Sequence, residues 1–136
     1  MKRSLIILAA GFAAFAVAAP AGAHGTISIT IRHQTVGCHA WAVGSGPFGA
    51  SHTLRVDMGT MLTFTNNDVM PHTLVQRSGP VVKMRTPRMA KMAARTTIFL
   101  GMPGKYVFST KAGEDYMSGI KTIGPDNVLK LVVIVK

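Results

Sequence analysis

Five histidines, one cysteine and nine methionines are the residues of this 136-residue chain suited to holding a soft or borderline metal ion. Cys38 and His39 are adjacent, inside Gly37-Cys38-His39-Ala40-Trp41. A lone cysteine has no partner for an intramolecular disulfide, so its thiol is either a ligand or a small buried side chain. Beside an imidazole, in a glycine-rich neighbourhood, a free thiol would be prone to oxidation, which favours the ligand reading. Neighbouring residues of an extended chain point opposite ways, so Cys38 and His39 can share one ion only if the chain curls there. His72 follows Pro71 at the start of a strand-like run, and imidazole is a ready transition-metal ligand. Glu114 and Asp115 are two of only five acidic residues. They offer harder oxygen ligands, or simply a solvated turn. Paired carboxylates also suit acid–base work, but nothing near them supports a hydrolase.

The methionines divide by neighbourhood. Met84, Met89 and Met92, with Met70 and Met102 near them in sequence, could form a soft docking patch or pack inward as core. Lys83, Arg85, Arg88 and Lys91 run through the same stretch and would repel a cation. Such a surface suits an anionic partner better. Trp41 reads as a packing residue, since large aromatics usually anchor cores.

The elements that must position these residues are strands. Ile27, Ile29 and Ile31 alternate with Ser28, Thr30 and Arg32. Leu54, Val56 and Met58 alternate with Thr53, Arg55 and Asp57, and Leu62 and Phe64 resume after a turn at 57–60. Asn66-Asn67-Asp68 closes that strand with turn formers, and His72 to Gln76 starts the next. Thr96 to Leu100 and Lys105 to Thr110 follow, the latter with Tyr106 and Phe108 on one face. Asn127 to Val135 is an apolar run suited to a strand buried on both faces. Gly37 to Ser51 reads as loop, and the Met-Ala-Lys-Met-Ala-Ala run after Pro87 as one or two helical turns. Short strands between Gly, Pro and Asn turns predict a β-sandwich or barrel.

The N-terminus predicts export. Met1-Lys2-Arg3 precedes an apolar stretch from Ser4 to Ala19, and Ala21-Gly22-Ala23 has the small-x-small pattern of a cleavage site. The stretch is too short and too rich in Ala and Gly for a convincing membrane span. Residues 1–23 are therefore read as a cleaved signal peptide and residues 24–136 as one domain, periplasmic or secreted. The net charge of +10 includes Lys2 and Arg3, so the mature chain stays strongly cationic. That surplus suits an acidic protein partner or an anionic surface, and the compartment argues against nucleic acid.

The run from Gly59 to Leu74, with Phe64, Asn66, Pro71 and His72, resembles the cupredoxins, the family of plastocyanin and azurin. The resemblance implies a Greek-key β-sandwich, and it implies copper. His72 stands where that family has its first copper-binding histidine. Pro103-Gly104-Lys105-Tyr106-Val107-Phe108-Ser109 is similar to the family's approach to its ligand loop, which should continue with Cys, His and Met. Here Thr110 takes the Cys position, Ala112 to Asp115 contains no His, and Met117 falls where the axial thioether belongs. A blue-copper site needs a thiolate and two imidazoles with a weak axial group. In a cupredoxin the loop after the first strand lies at the copper end of the sandwich. On that topology Cys38 and His39 would join His72 and Met117 and restore the inventory.

The sequence therefore predicts an all-β, cupredoxin-like Greek-key sandwich of roughly seven or eight strands. The expected function is electron transfer or copper delivery through a non-standard site of His72, Cys38, His39 and Met117, with an acidic redox or copper-trafficking partner and no enzymatic reaction. One alternative is a metal-free scaffold that docks anionic partners by its basic face. Another is a copper brace built on His24, which cleavage would make N-terminal, with His33, His39 or His52 completing it. Such braces serve copper oxidases and copper carriers. No motif for hydrolysis, phosphate or nucleotide binding is present.

Overall fold

The computed structural model describes residues 25–112 and 122–136. The strands are β1 (Thr26–His33), β2 (His39–Val43), β3 (Ser51–Val56), β4 (Met61–Asn67), β5 (His72–Ser78), β6 (Arg88–Met89), β7 (Arg95–Phe99), β8 (Gly104–Ala112) and β9 (Lys130–Val135). They form a four-stranded sheet of order β2-β1-β4-β7 and a five-stranded sheet of order β3-β9-β8-β5-β6. Two pairs, β1 with β4 and β3 with β9, are parallel, and the others are antiparallel. Parallel neighbours cannot be joined by a tight turn, so the chain must cross between the sheets. This is the all-β, cupredoxin-like sandwich expected of the sequence. Counting the two-residue β6, there are nine strands among the described residues.

Alternation does what period two requires. Ile29 and Ile31 of β1, Leu62 and Phe64 of β4, and Tyr106 and Phe108 of β8 all turn into one core. Trp41 completes it, fully buried, with its ring 6.2 Å from that of Phe64. Phe64 in turn lies 6.1 Å from Phe108, so aromatic contacts join the two sheets.

Three local expectations are corrected. The segment 37–51 is not all loop, because β2 lies within it. His39 to Ala42 are buried without a break, so the strand shows no polar–apolar alternation to read. Its outer edge is covered where Trp41 exchanges both backbone hydrogen bonds with Gly49, each 3.0 Å long. The 83–95 stretch forms no helical turn, and no helix occurs among the described residues. Its backbone is committed elsewhere: Leu74 N–H donates to Pro87 C=O, and Asn66 exchanges backbone bonds with Ala93 and Ala94. Finally, β9 is buried on alternate residues, Leu131, Val133 and Val135, with Val132 and Ile134 only half-buried.

Candidate metal centre

The β4–β5 turn is built around buried side-chain hydrogen bonds. Asn66 Nδ2 donates to the carbonyls of Met70 (2.9 Å) and Met89 (3.0 Å), and its Oδ1 accepts the Asp68 N–H at 2.8 Å. Asp68 Oδ1 accepts the Met70 N–H at 3.2 Å. The turn chemistry read from Asn66 and Asp68 is therefore present, as side chains bonding backbone two residues on. Asp68 also does something the sequence did not reveal. Fully buried, it accepts a hydrogen bond from His72 Nε2 at 2.9 Å through Oδ2.

That bond sets the tautomer of His72. With the proton on Nε2, the lone pair of Nδ1 accepts from the Thr110 hydroxyl, 3.2 Å away. Thr110 thus faces the ring nitrogen opposite the carboxylate. Carboxylates commonly hold a metal-ligating imidazole by its second nitrogen in this way.

Two more imidazoles face Asp68. His39 Nδ1 lies 3.7 Å from Oδ2 and His33 Nδ1 lies 3.8 Å from Oδ1, both beyond hydrogen-bond reach. His33 and His39 are paired directly across β1 and β2. The His39 ring stands edge-on to His72 with centroids 5.0 Å apart. His39 is only 4% exposed, yet among the described residues its Nδ1 has no hydrogen-bond partner, and neither ring nitrogen of His33 has one. Burial first, then the neighbouring His72, push the His39 pKa down, so its ring is held neutral. Burial works to raise the Asp68 pKa, but the hydrogen bonds from His72 and Met70 and the neighbouring imidazoles outweigh it and hold the carboxyl below its usual range.

Cys38 reaches the same pole through a curl. Its φ is +61°, and His39 N–H donates to Gly37 C=O at 2.7 Å around it. A non-glycine residue in this region is strained, and such strain concentrates at functional sites. The preceding Gly37, at φ +78°, could carry no side chain, since a Cβ there would collide with Asn127. Asn127 pins the curl by donating its backbone N–H to Gly37 C=O (2.9 Å) and its Nδ2 to His39 C=O (3.0 Å). The buried thiol donates to the thioether of Met70, Sγ to Sδ 3.4 Å. Burial, then Asp126 and Asp68, push the Cys38 pKa up to about 11.

Ligand-type atoms of His39, Asp68 and His72 lie within 4.8 Å of one another, and so do those of Cys38, His39 and Asp126. His39 belongs to both sets. The structure thus brings together three of the four residues expected from the sequence: Cys38, His39 and His72. Met117, with Glu114, Asp115 and His24, lies outside the described residues. His52 is engaged elsewhere, its Nε2 2.7 Å from the Trp41 carbonyl oxygen. The methionines of 84–102 do not make one patch: Met89 is in the core, while Met92 and Met102 are exposed. Sequence reasoning missed Asp68 and Asp126, and named Met70 only for a docking patch and His33 only for a copper brace. The available signal was an acid four residues before His72 in a segment whose turn formers explained it already.

No family model and no curated relative matches the chain. Among solved structures, a reduced amicyanin mutant is similar at 14% identity and TM-score 0.45, over 80% of this chain and 82% of that one. A copper-containing nitrite reductase from Thermus scotoductus is similar at 17% identity and TM-score 0.44, over 82% of this chain but 28% of that one. An inclusion body protein from Burkholderia cenocepacia matches at 9% identity and TM-score 0.50, over 88% and 99% of the two chains. These are likenesses of fold.

Proposed function

We propose that this chain is an exported copper-binding protein, a carrier of electrons or of copper rather than an enzyme, with its site at the pole of Cys38, His39 and His72. The observation that carries the proposal is the His39 imidazole, buried and kept neutral beside a second imidazole and a thiol, with an Nδ1 that has no hydrogen-bond partner among the described residues. A buried polar atom without a partner costs about 1–3 kcal/mol, a cost a bound ion would remove. The donor set fits copper as well: thiol, imidazole and thioether are its soft and borderline ligands. The family resemblance adds Met117 as a fourth ligand. Copper held there would supply one-electron exchange between Cu(I) and Cu(II).

The chain's own residues have separate tasks in this reading. Asp68 orients His72 and fixes its tautomer, so that Nδ1, which accepts from Thr110, carries the lone pair a metal would take. Asn66 and Asn127 hold the two loops that carry the ligands. The core closes the pole from below, and the cationic surface suits an acidic redox or copper-trafficking partner.

A second reading has its own support. Both ring nitrogens of His72 are already hydrogen-bonded, to Asp68 and Thr110, as in a scaffold that no longer needs a metal. A copper titration of the purified protein, followed by visible absorption and EPR on wild type and Cys38→Ser, separates the two. One equivalent of copper, taken up under reducing or oxidising conditions and weakened in Cys38→Ser, is the expected result, with a thiolate-to-copper band in the Cu(II) form that Cys38→Ser lacks. No uptake under oxidising or reducing conditions would leave the metal-free scaffold.

A further inference from the structure

Cys38 already has a thioether beside it. Met70 is 3% exposed, and its sulfur receives the thiol hydrogen of Cys38 at 3.4 Å. Its position is not incidental to packing. The Met70 N–H is held by Asp68 and its carbonyl by Asn66, so the backbone that aims this side chain is fixed at both polar groups. Met70 is also two residues from His72 on the same turn, and Cys38 is one from His39. The two sulfurs and two imidazoles therefore come from two short, pinned loops.

We infer that Met70 is a thioether ligand of the site and that Cys38, Met70 and His39 form a sulfur-rich seat selective for Cu(I). This rests on the copper-binding reading and adds to it a ligand and a preferred oxidation state. Three observations support it. Thiolate, thioether and imidazole are the ligand types that favour Cu(I) over harder divalent ions. A ring nitrogen of His39 lies within 4.8 Å of the Cys38 sulfur, and among the described residues its Nδ1, 3.7 Å from Asp68 Oδ2, has no hydrogen-bond partner. Charge also points the same way. Binding displaces the thiol proton to solvent, so Cu(I) with one thiolate is neutral, whereas Cu(II) would leave a positive charge in the seat with only the exposed Asp126 to meet it, Asp68 being committed to His72. Asp126, the exposed member of its cluster, marks the side from which a cation would enter.

The test is Cu(I) binding under reductant, by competition with bathocuproine disulfonate, on wild type, Met70→Leu and Cys38→Ser. Met70→Leu, close in size and apolar, should lower Cu(I) affinity at least about tenfold. Cu K-edge EXAFS should show its sulfur scattering reduced relative to wild type. A wild-type protein that takes up no copper overturns the copper-binding reading itself. Copper uptake that Cys38→Ser abolishes and Met70→Leu leaves unchanged overturns only the role of Met70. If Met70→Leu does not fold, selenomethionine-labelled Met117→Leu protein gives the second measurement. A copper–selenium distance there supports the inference, and its absence overturns it.

Discussion

Asp68 Oδ2 and His72 Nε2 are 2.9 Å apart, and both side chains are fully buried. Around them His33 and His39 turn further nitrogens toward the same carboxylate without reaching it. One acid thus organises the pole: it bonds one histidine, faces two others and caps the turn that carries Met70. A buried pair of this kind contributes little against an apolar replacement, but breaking it strands a charge or a polar group.

Asp68→Ala should therefore destabilise the metal-free protein by about 3 kcal/mol or more. Asp68→Asn, which can keep the turn bond to Met70, should cost less. Urea unfolding of both variants checks the order. Equal costs would mean that the bond to the histidine, not the turn, accounts for the loss.

His39→Leu should separate stability from function. Removal of an unpartnered buried nitrogen relieves about 1–3 kcal/mol, offset by imperfect packing of the new side chain. The metal-free variant should unfold at or above the wild-type temperature while losing copper affinity. A clear fall in Tm would show that His39 is held by structure alone.

Cys38 should betray its strained backbone. At φ +61° a glycine is at ease and an alanine is not. Cys38→Gly should be more stable than Cys38→Ala by about 1 kcal/mol, and neither should show a sulfur-to-copper band. Calorimetry on the pair measures the first part and absorption the second.

Stability should fall on both sides of neutrality. His39, facing His33, His72, Asp68 and Asp126, is depressed, so below about pH 6.5 the unfolded chain takes up a proton that the folded chain resists. Asp68 is depressed too, so its contribution is present above about pH 4 and is lost as pH falls through its folded value. Cys38 is raised, so its contribution is complete below the usual thiol value and is lost as pH rises toward about 11. Urea midpoints across pH should show two acid stages and an alkaline one. The first should vanish in His39→Leu and the last in Cys38→Ser.

Copper affinity should rise with pH for the same reason. The ion must displace a proton from a thiol whose pKa is about 11. Apparent affinity should therefore increase about tenfold per pH unit near neutrality, and Cys38→Ser should flatten that slope.

The sequence by itself determined the sandwich. Period-two runs at Ile27–Ile31, Leu62–Phe64 and Tyr106–Phe108 carry their own burial pattern, because each strand's alternation needs no knowledge of its neighbours. It also supplied Cys38, His39 and His72 as candidates, from residue type and from the resemblance around His72. Only the tertiary structure decided the rest. β2 was hidden because a strand covered on both faces has no alternation. Asp68 and Met70 were hidden because their partners are set by register and loop curvature. Asp68 reads as a turn former until β1 and β2 place His33 and His39 over it. Met70 reads as part of a docking patch or as core until the left-handed turn at Cys38, locked by Asn127 from the far end of the chain, brings one sulfur against the other. Contacts between residues 32 or 88 positions apart are fixed by packing, which no local pattern records.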